Sequence, residues 1–291
     1  MPTFLAQLVN ALALGSIYAL LVIGFNLLLL VGGIFPFAYP HIVVLSMYMC
    51  WIMLQLTGNN LVLSILFAIA TGTGFSVLTE PLFRPLAKRG AVLASFIVAM
   101  ALSLIITEIM AQKINHGIVI SFPQSLQGKA AIINLGTVTV TAGQLATILG
   151  SAVAGVGFFY LLYRTKQGRA FRALGQSPFS AKLRGIPILK TSIYAYLIAG
   201  LLGGISAVFL AMALGTASSS LGDNLALKVM AVALFAGLGN LYGGIIAALM
   251  LGFAEGMALA YLPGSWSQAI AFAMIMIIVM VRPKGLFGMK T

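Results

Sequence analysis

FLAQLVNALALGSIYALLVIGFNLLLLV, from Phe4 to Val31, carries no charged side chain. A helix that crosses a bilayer needs about 20 mostly apolar residues, because the hydrocarbon layer is about 30 Å thick and each residue rises about 1.5 Å. This run satisfies that length. It is too long for the apolar part of a secretory leader, and Met1 to Gln7 contain no Lys or Arg, so it reads as a retained first membrane helix.

Working outward, comparable runs lie at Phe37 to Leu56, Leu61 to Thr79, Ala91 to Ala111, Gly143 to Tyr163, Thr191 to Leu214, Leu225 to Leu238, Gly243 to Leu262 and Ser267 to Val281. The run from Leu225 is short for a full crossing and ends in glycines, which suits a partial or re-entrant element. The expected fold is therefore an all-α polytopic membrane protein with about 8–9 transmembrane or partial helices, forming one domain over residues 1–291. Composition agrees: 61% of residues are hydrophobic and 7% charged, against roughly 45–50% and about 25% in soluble domains.

Sixteen Lys and Arg against four Asp and Glu give a net charge of +12. In a soluble chain that excess would suggest nucleic acid, but no basic groove interleaved with aromatics accompanies it. The basic residues instead sit in the breaks between apolar runs, where positive charge holds loops in the cytoplasm. Arg84, Lys88 and Arg89 mark one such loop, residues 164–190 a second, and Arg282, Lys284 and Lys290 a cytoplasmic C-terminal tail. Nine crossings reconcile these anchors with an N-terminus outside. Residues 112–142 then form an external loop, in which Ile132 to Thr141, IINLGTVTVT, alternates β-branched residues as a strand or hairpin does. The lone Cys50 lies in an apolar run and allows no intrachain disulfide.

Chemistry is sparse. No G-x-x-x-x-G-K-[ST] occurs, so the chain does not cradle ATP through a P-loop. His41 and His116 stand in different segments without paired Cys or carboxylates, so neither a metal site nor a cofactor is expected. No nucleophile elbow or H-E-x-x-H is present, and no catalytic residue is assigned. Of the four acids, Glu80 and Glu108 fall near expected helix ends and Asp223 in an external turn, SSSLGDN, which leaves Glu255 as the one acid well inside an apolar run. Glu255 reads as a packing group bonded to a neighbouring helix, with a proton or substrate-ammonium contact as the functional alternative. Lys228 is too far around the helix from Asp223 to face it and reads as a lysine snorkelling to the interface, with a substrate-carboxylate contact as the alternative. Gly200 and Gly204, Gly239 and Gly243, and Gly252 and Gly256 are spaced four apart, which allows close helix packing within the chain or against another subunit. The break around GLGNLYGG, Gly237 to Gly244, offers a hinge.

The segment from Arg164 to Lys190 is too long for a minimal turn and too polar to be buried. It predicts a short helix ending near Gly175, a break at Ser177 and Pro178, and a second short helix ending near Gly185 and Pro187. Such a loop presents a rigid shape to a partner, where a plain basic loop would only meet anionic headgroups.

Three blocks resemble the permease subunits of branched-chain amino acid ABC importers: GRAFRALGQSPFSAKLRGI (Gly168 to Ile186), LGDNLALKVMAVALFAGLGNLYGGIIAALMLGFAE (Leu221 to Glu255) and RPKGLFG (Arg282 to Gly288). The resemblance covers nearly the whole chain. It implies that residues 164–190 are the cytoplasmic coupling loop that docks on an ATPase subunit, with Arg169, Arg172, Ala181, Leu183 and Gly185 in the contact surface. It implies a second, similar permease, two ATPases, an external solute-binding protein and the bacterial cytoplasmic membrane. Two departures stand out. Acids that relatives often carry near Ser177 and Phe179 are missing, and a motif like N-F-A-H-G is replaced by Pro36, Phe37, Ala38, Tyr39 and Pro40. The second leans toward a cargo other than the usual aliphatic amino acid. Branched-chain or other small neutral amino acids remain the leading cargo, with urea, short amides or small carboxylates as alternatives. A stand-alone secondary transporter or channel is the rival class, and it is short of the buried ionisable groups such carriers use.

Overall fold

The computed structural model describes residues 2–114, 116–128, 131–135, 138–261, 273, 276 and 280. The helices are α1 (Pro2–Gly32), α2 (Tyr39–Leu56), α3 (Leu61–Lys88), α4 (Val92–Ile109, continued by a π turn at Met110–Ile114), α5 (Gln124–Gln127), α6 (Ala142–Arg164), α7 (Lys166–Gln176), α8 (Pro178–Leu183), α9 (Ile188–Leu214), α10 (Leu221–Ala236) and α11 (Leu241–Tyr261). Seven of the described helices are long and apolar enough to cross a membrane. With the 16-residue α10 beside them, this is the polytopic helical fold expected. The last apolar run, Ser267 to Val281, and the tail at Arg282, Lys284 and Lys290 lie outside the described residues apart from three isolated positions.

Helix starts follow local chemistry. The Asn60 side chain accepts from the Leu63 N–H at the head of α3. Thr141 and Gln144 form a capping box at the head of α6, each side chain meeting the other's backbone N–H. The Thr165 and Ser177 side chains accept from the Gly168 and Ser180 N–H groups at the heads of α7 and α8, with Pro178 in the first turn of α8, where its missing N–H costs nothing.

The core is built on α1, whose inward face is enclosed by α9, α11, α6 and α10, while α2 and α3 pack on α9. Close approach depends on glycine. A Cβ on Gly200 would meet Ser76 Cβ and Thr73 Cα at 2.7 Å, and one on Gly204 would lie 2.6 Å from Ile69 Cα, so α9 and α3 touch backbone to backbone. Gly252 and Gly256 of α11 press in the same manner on Gly15 and Ala11 of α1. Two of the three expected glycine pairs thus pack within this chain. Gly239 and Gly243 are not a packing pair. Gly239 stands in the break between α10 and α11 at φ +79°, whereas Gly243 belongs to the first turn of α11, donating its N–H to Asn240 Oδ1 at 3.0 Å.

Among the described residues four short strands lie at one end of the helices: β1 (Ile120–Ser121), β2 (Ala131–Leu135), β3 (Val138–Thr141) and β4 (Thr216–Ala217). β2 and β3 pair antiparallel as the expected hairpin, with a bulge between Ala131 and Ile133, and β1 pairs with β4. The hairpin marks one end of the bundle, where Gln144 Nε2 donates to Asn10 Oδ1 at 2.5 Å. α7 marks the other end, with Gly175 against Leu30 of α1. Contacts of Asn240 with Asn26 and of Gly256 with Ala11 run α11 antiparallel to α1.

One boundary differs from expectation. The third run does not stop near Thr79: α3 continues through Pro81 and Pro85 to Lys88, so Arg84 lies on a helix and not in a loop. Its guanidinium, four residues from Glu80, forms a two-armed ion pair with that buried carboxylate. A fork of N–H groups matched to a carboxylate allows an acid with 1% exposure to remain inside the helix packing.

Candidate functional site

Besides the Glu80–Arg84 pair, the described residues hold a polar cluster at Tyr18, Lys228 and Glu255 and another at His41 and Asp223, and one helical pair stands outside the bundle. The first cluster joins α1, α10 and α11. Lys228 Nζ lies 2.5 Å from Glu255 Oε1 and 3.3 Å from the Tyr18 hydroxyl. The Tyr18 hydroxyl in turn donates to Glu255 Oε2 at 2.9 Å, and the ammonium stands 5.5 Å from the Tyr18 ring centroid. All three residues are buried. This corrects the expectation for Lys228, which does not snorkel: its ammonium is buried in the bundle, where Glu255 neutralises it in place. For Glu255 the arrangement fits the bonded packing group, because both carboxylate oxygens are already occupied.

The second cluster joins α2 to the first turn of α10. His41 Nε2 lies 3.0 Å from Asp223 Oδ1; His41 is fully buried, whereas the Asp223 side chain is 54% exposed. The imidazole stands 5.9 Å from the Phe37 ring, and a Cβ on Gly222 would press on it, so glycine leaves the ring its room. Asp223 is therefore helical and paired, not a free acid in a turn, and His41 has a carboxylate partner after all. Asp223 and Lys228 do not meet. The segment preceding His41 is structural at Tyr39, which is buried against Gly24 with its hydroxyl donating to the Ala199 carbonyl at 3.0 Å.

Outside, α7 and α8 form a short helical pair, broken at Ser177 as the sequence predicts. Phe171 and Leu174 of α7 and Ala181 of α8 are buried against the bundle, which anchors the pair. Ala181 thus cannot belong to a contact surface. Its small side chain is what lets α8 lie close. Arg172 is half-buried, its guanidinium 4.7 Å from the ring centroid of Tyr163 at the end of α6. Arg169, Leu183 and Gly185 are exposed, and so is Phe179, which sequence reasoning passed over. Phe179 and Leu183 are 72% and 74% exposed, an apolar tip on a basic loop. Gly185 closes α8 at φ +73°, a conformation that favours glycine.

From Arg172 of α7 the aromatic contacts run on to α11. Tyr163 stacks at 5.6 Å on Tyr242, in the first turn of α11, and Tyr242 stacks at 4.8 Å on Phe159. Leu30, against which Gly175 packs, also reaches Gly239 at the α10–α11 break. A groove of about 330 Å³ opens between α6 and α11 over α1, lined by Ser16, Ser151, Phe159 and Leu249 among mostly aliphatic side chains. So few polar atoms suit hydrocarbon better than a charged solute. Among the described residues no three potential metal ligands gather.

Residues 7–279 match the family described as branched-chain amino acid transport system / permease component. The chain is 25% identical to the high-affinity branched-chain amino acid transport system permease protein BraD of Pseudomonas aeruginosa, over 98% of this chain and 96% of that protein. It is 24% identical to the permease protein LivH of the corresponding high-affinity system in Escherichia coli, with the same shares covered. In fold it is similar to a solved chain described as a metal-chelate type ABC transporter in an inward-facing conformation. The TM-score is 0.50 at 16% identity, covering 95% of this chain and 85% of that one.

Proposed function

From its membership of the branched-chain amino acid transport system permease family, we propose that this chain is the translocating subunit of an ATP-driven importer for small neutral amino acids, branched-chain ones foremost. The observation that carries the reading is the α7–α8 pair, anchored by Phe171, Leu174 and Ala181 and presenting Phe179 and Leu183 to solvent. An exposed apolar pair on a loop that also exposes Arg169, Lys182 and Arg184 is costly to leave in water and suits a groove on a partner. The chain has no P-loop of its own, so the partner supplies ATP hydrolysis.

In this reading the α7–α8 end faces the cytoplasm and the β-hairpin end faces the solute-binding protein. A second permease of similar sequence completes the pathway, two ATPases dock on the paired coupling loops, and the C-terminal tail is cytoplasmic. ATP-driven movement of the docked loop reaches the α10–α11 break through Arg172, Tyr163 and Tyr242. ATP shifts the outward-open and inward-open populations only as far as the ATPases bind the two states unequally. Charge pairing supports the absence of ion coupling: Glu80 and Glu255, the buried acids, are each closed by a basic partner, which leaves neither free to carry a proton or Na⁺.

The test is capture of the ATPase subunits by the purified chain. Phe179→Asp with Leu183→Asp should abolish capture while the folded permease is still recovered. Capture at the unaltered level would remove the docking assignment.

A further inference from the structure

We propose that Asp223, positioned by His41, is the contact for the ammonium group of the transported amino acid. The inference rests on the amino-acid reading above and deepens it. It begins with depth. Lys228 meets Tyr18, which lies about 18 Å along the span that starts at Ala6, and Asp223 is about 7.5 Å back toward the hairpin end, at 1.5 Å per helical residue. The Asp223 carboxylate therefore lies roughly 10 Å inside the span. A charged side chain within an apolar span is costly against lipid, so it faces protein or a water-filled cavity. A side chain that is 54% exposed there faces a space that takes water or a polar solute.

The four acids of the chain then separate cleanly. Glu80 is closed by Arg84, and Glu255 by Lys228 and Tyr18. Glu108 lies near the hairpin-side end of α4 and accepts from Gln112. Asp223 alone is held on one oxygen by a fully buried group and open on its other side. His41 Nδ1 has no hydrogen-bond partner among the described residues. A proton on Nδ1 would be a stranded buried donor, so the tautomer with its proton on Nε2 is the one that fits. That imidazole donates to Asp223 Oδ1 and fixes the carboxylate without cancelling its charge. Oδ2 is left to accept from a cationic donor.

Along α10 the exposed face continues from Asp223 through Leu227, 40% exposed, to the partly exposed Met230 and Leu234. These positions follow one another at helical spacing. A carboxylate followed by aliphatic side chains on one stripe matches a solute with an ammonium group and a branched apolar side chain. In this account His41 is a positioning residue and Asp223 the binding group.

The experiment uses the whole transporter, this chain with its second permease, ATPases and binding protein, in vesicles with ATP inside. Labelled leucine uptake and binding-protein-stimulated ATPase are read together. Asp223→Asn should lower leucine moved per ATP by about tenfold, the loss expected when a charge-assisted hydrogen bond becomes a neutral one, while the stimulated ATPase stays within about twofold. Asp223→Glu should recover most of the transport, and His41→Phe, which removes the donor, should reproduce the uncoupling more weakly. Unchanged uptake by Asp223→Asn overturns the site alone. Joint loss of assembly and ATPase in Asp223→Asn also overturns it, and assigns the residue to the interface with the second permease. A native complex that moves no amino acid under ATP overturns the reading on which the site rests.

Discussion

Lys228 and Glu255 neutralise each other inside the bundle, and the pair tests how charge is tolerated there. Replacing one partner leaves a buried, unpaired charge, which typically costs about 3–5 kcal/mol. Lys228→Met should therefore lower the thermal unfolding temperature of the detergent-purified protein markedly. The double variant Lys228→Met/Glu255→Leu should recover most of that loss, because two apolar groups replace two charges. A double variant as unstable as the single one would show that the pair is not the source of the stability. This pair was not legible in the sequence. Lys228 and Glu255 lie in separate helices, α10 and α11, and only the packing of both against α1 brings them to Tyr18. The same holds for His41 and Asp223, which are 182 positions apart. No local spacing rule reaches that far, so a paired lysine looked like a snorkelling one and a paired aspartate like a turn residue.

Elements were far more legible. The break between α7 and α8 was written in Ser177 and Pro178, and the hairpin in the β-branched alternation before Thr141, because caps, prolines and period-2 patterns act over a few residues. The end of α3 was missed. The apolar run ends at Thr79, but the helix carries on through Pro81 and Pro85 to Lys88. Proline discourages a helix interior without forbidding it where neighbouring segments and side chains take up the freed backbone groups. At this scale the glycine contact between α3 and α9 makes a firm prediction. Gly200→Leu drives a side chain into the backbone of α3 and should give a protein that loses its native gel-filtration peak. Gly155→Leu meets only open space and should leave that peak unchanged. Equal behaviour of the two variants would contradict the packing described. Arg172 offers a second test. Arg172→Gln removes the cation over Tyr163, a contact worth about 0.5–2 kcal/mol. It should leave ATPase capture intact yet lower transport-coupled ATPase, since the contact joins α7 to the bundle and not to the partner. Weaker capture with unchanged coupling would reverse that assignment.

Across the whole molecule, composition decided early that the chain lives in a membrane, and the blocks at Gly168 to Ile186 and Leu221 to Glu255 pointed to the permease family to which it belongs. Cargo selection is a property of the assembled pathway. It depends on which faces of α10 and its neighbours are left open once a second permease is in place, and a pattern along one chain does not report that. The central claim is ATP-driven import through this subunit, and the most direct test is uptake of labelled leucine into vesicles that hold the chain, its second permease, the two ATPases and the external binding protein. The account predicts uptake that requires both ATP inside and the binding protein outside. Uptake by this chain alone, driven by an ion gradient and indifferent to ATP, would contradict it.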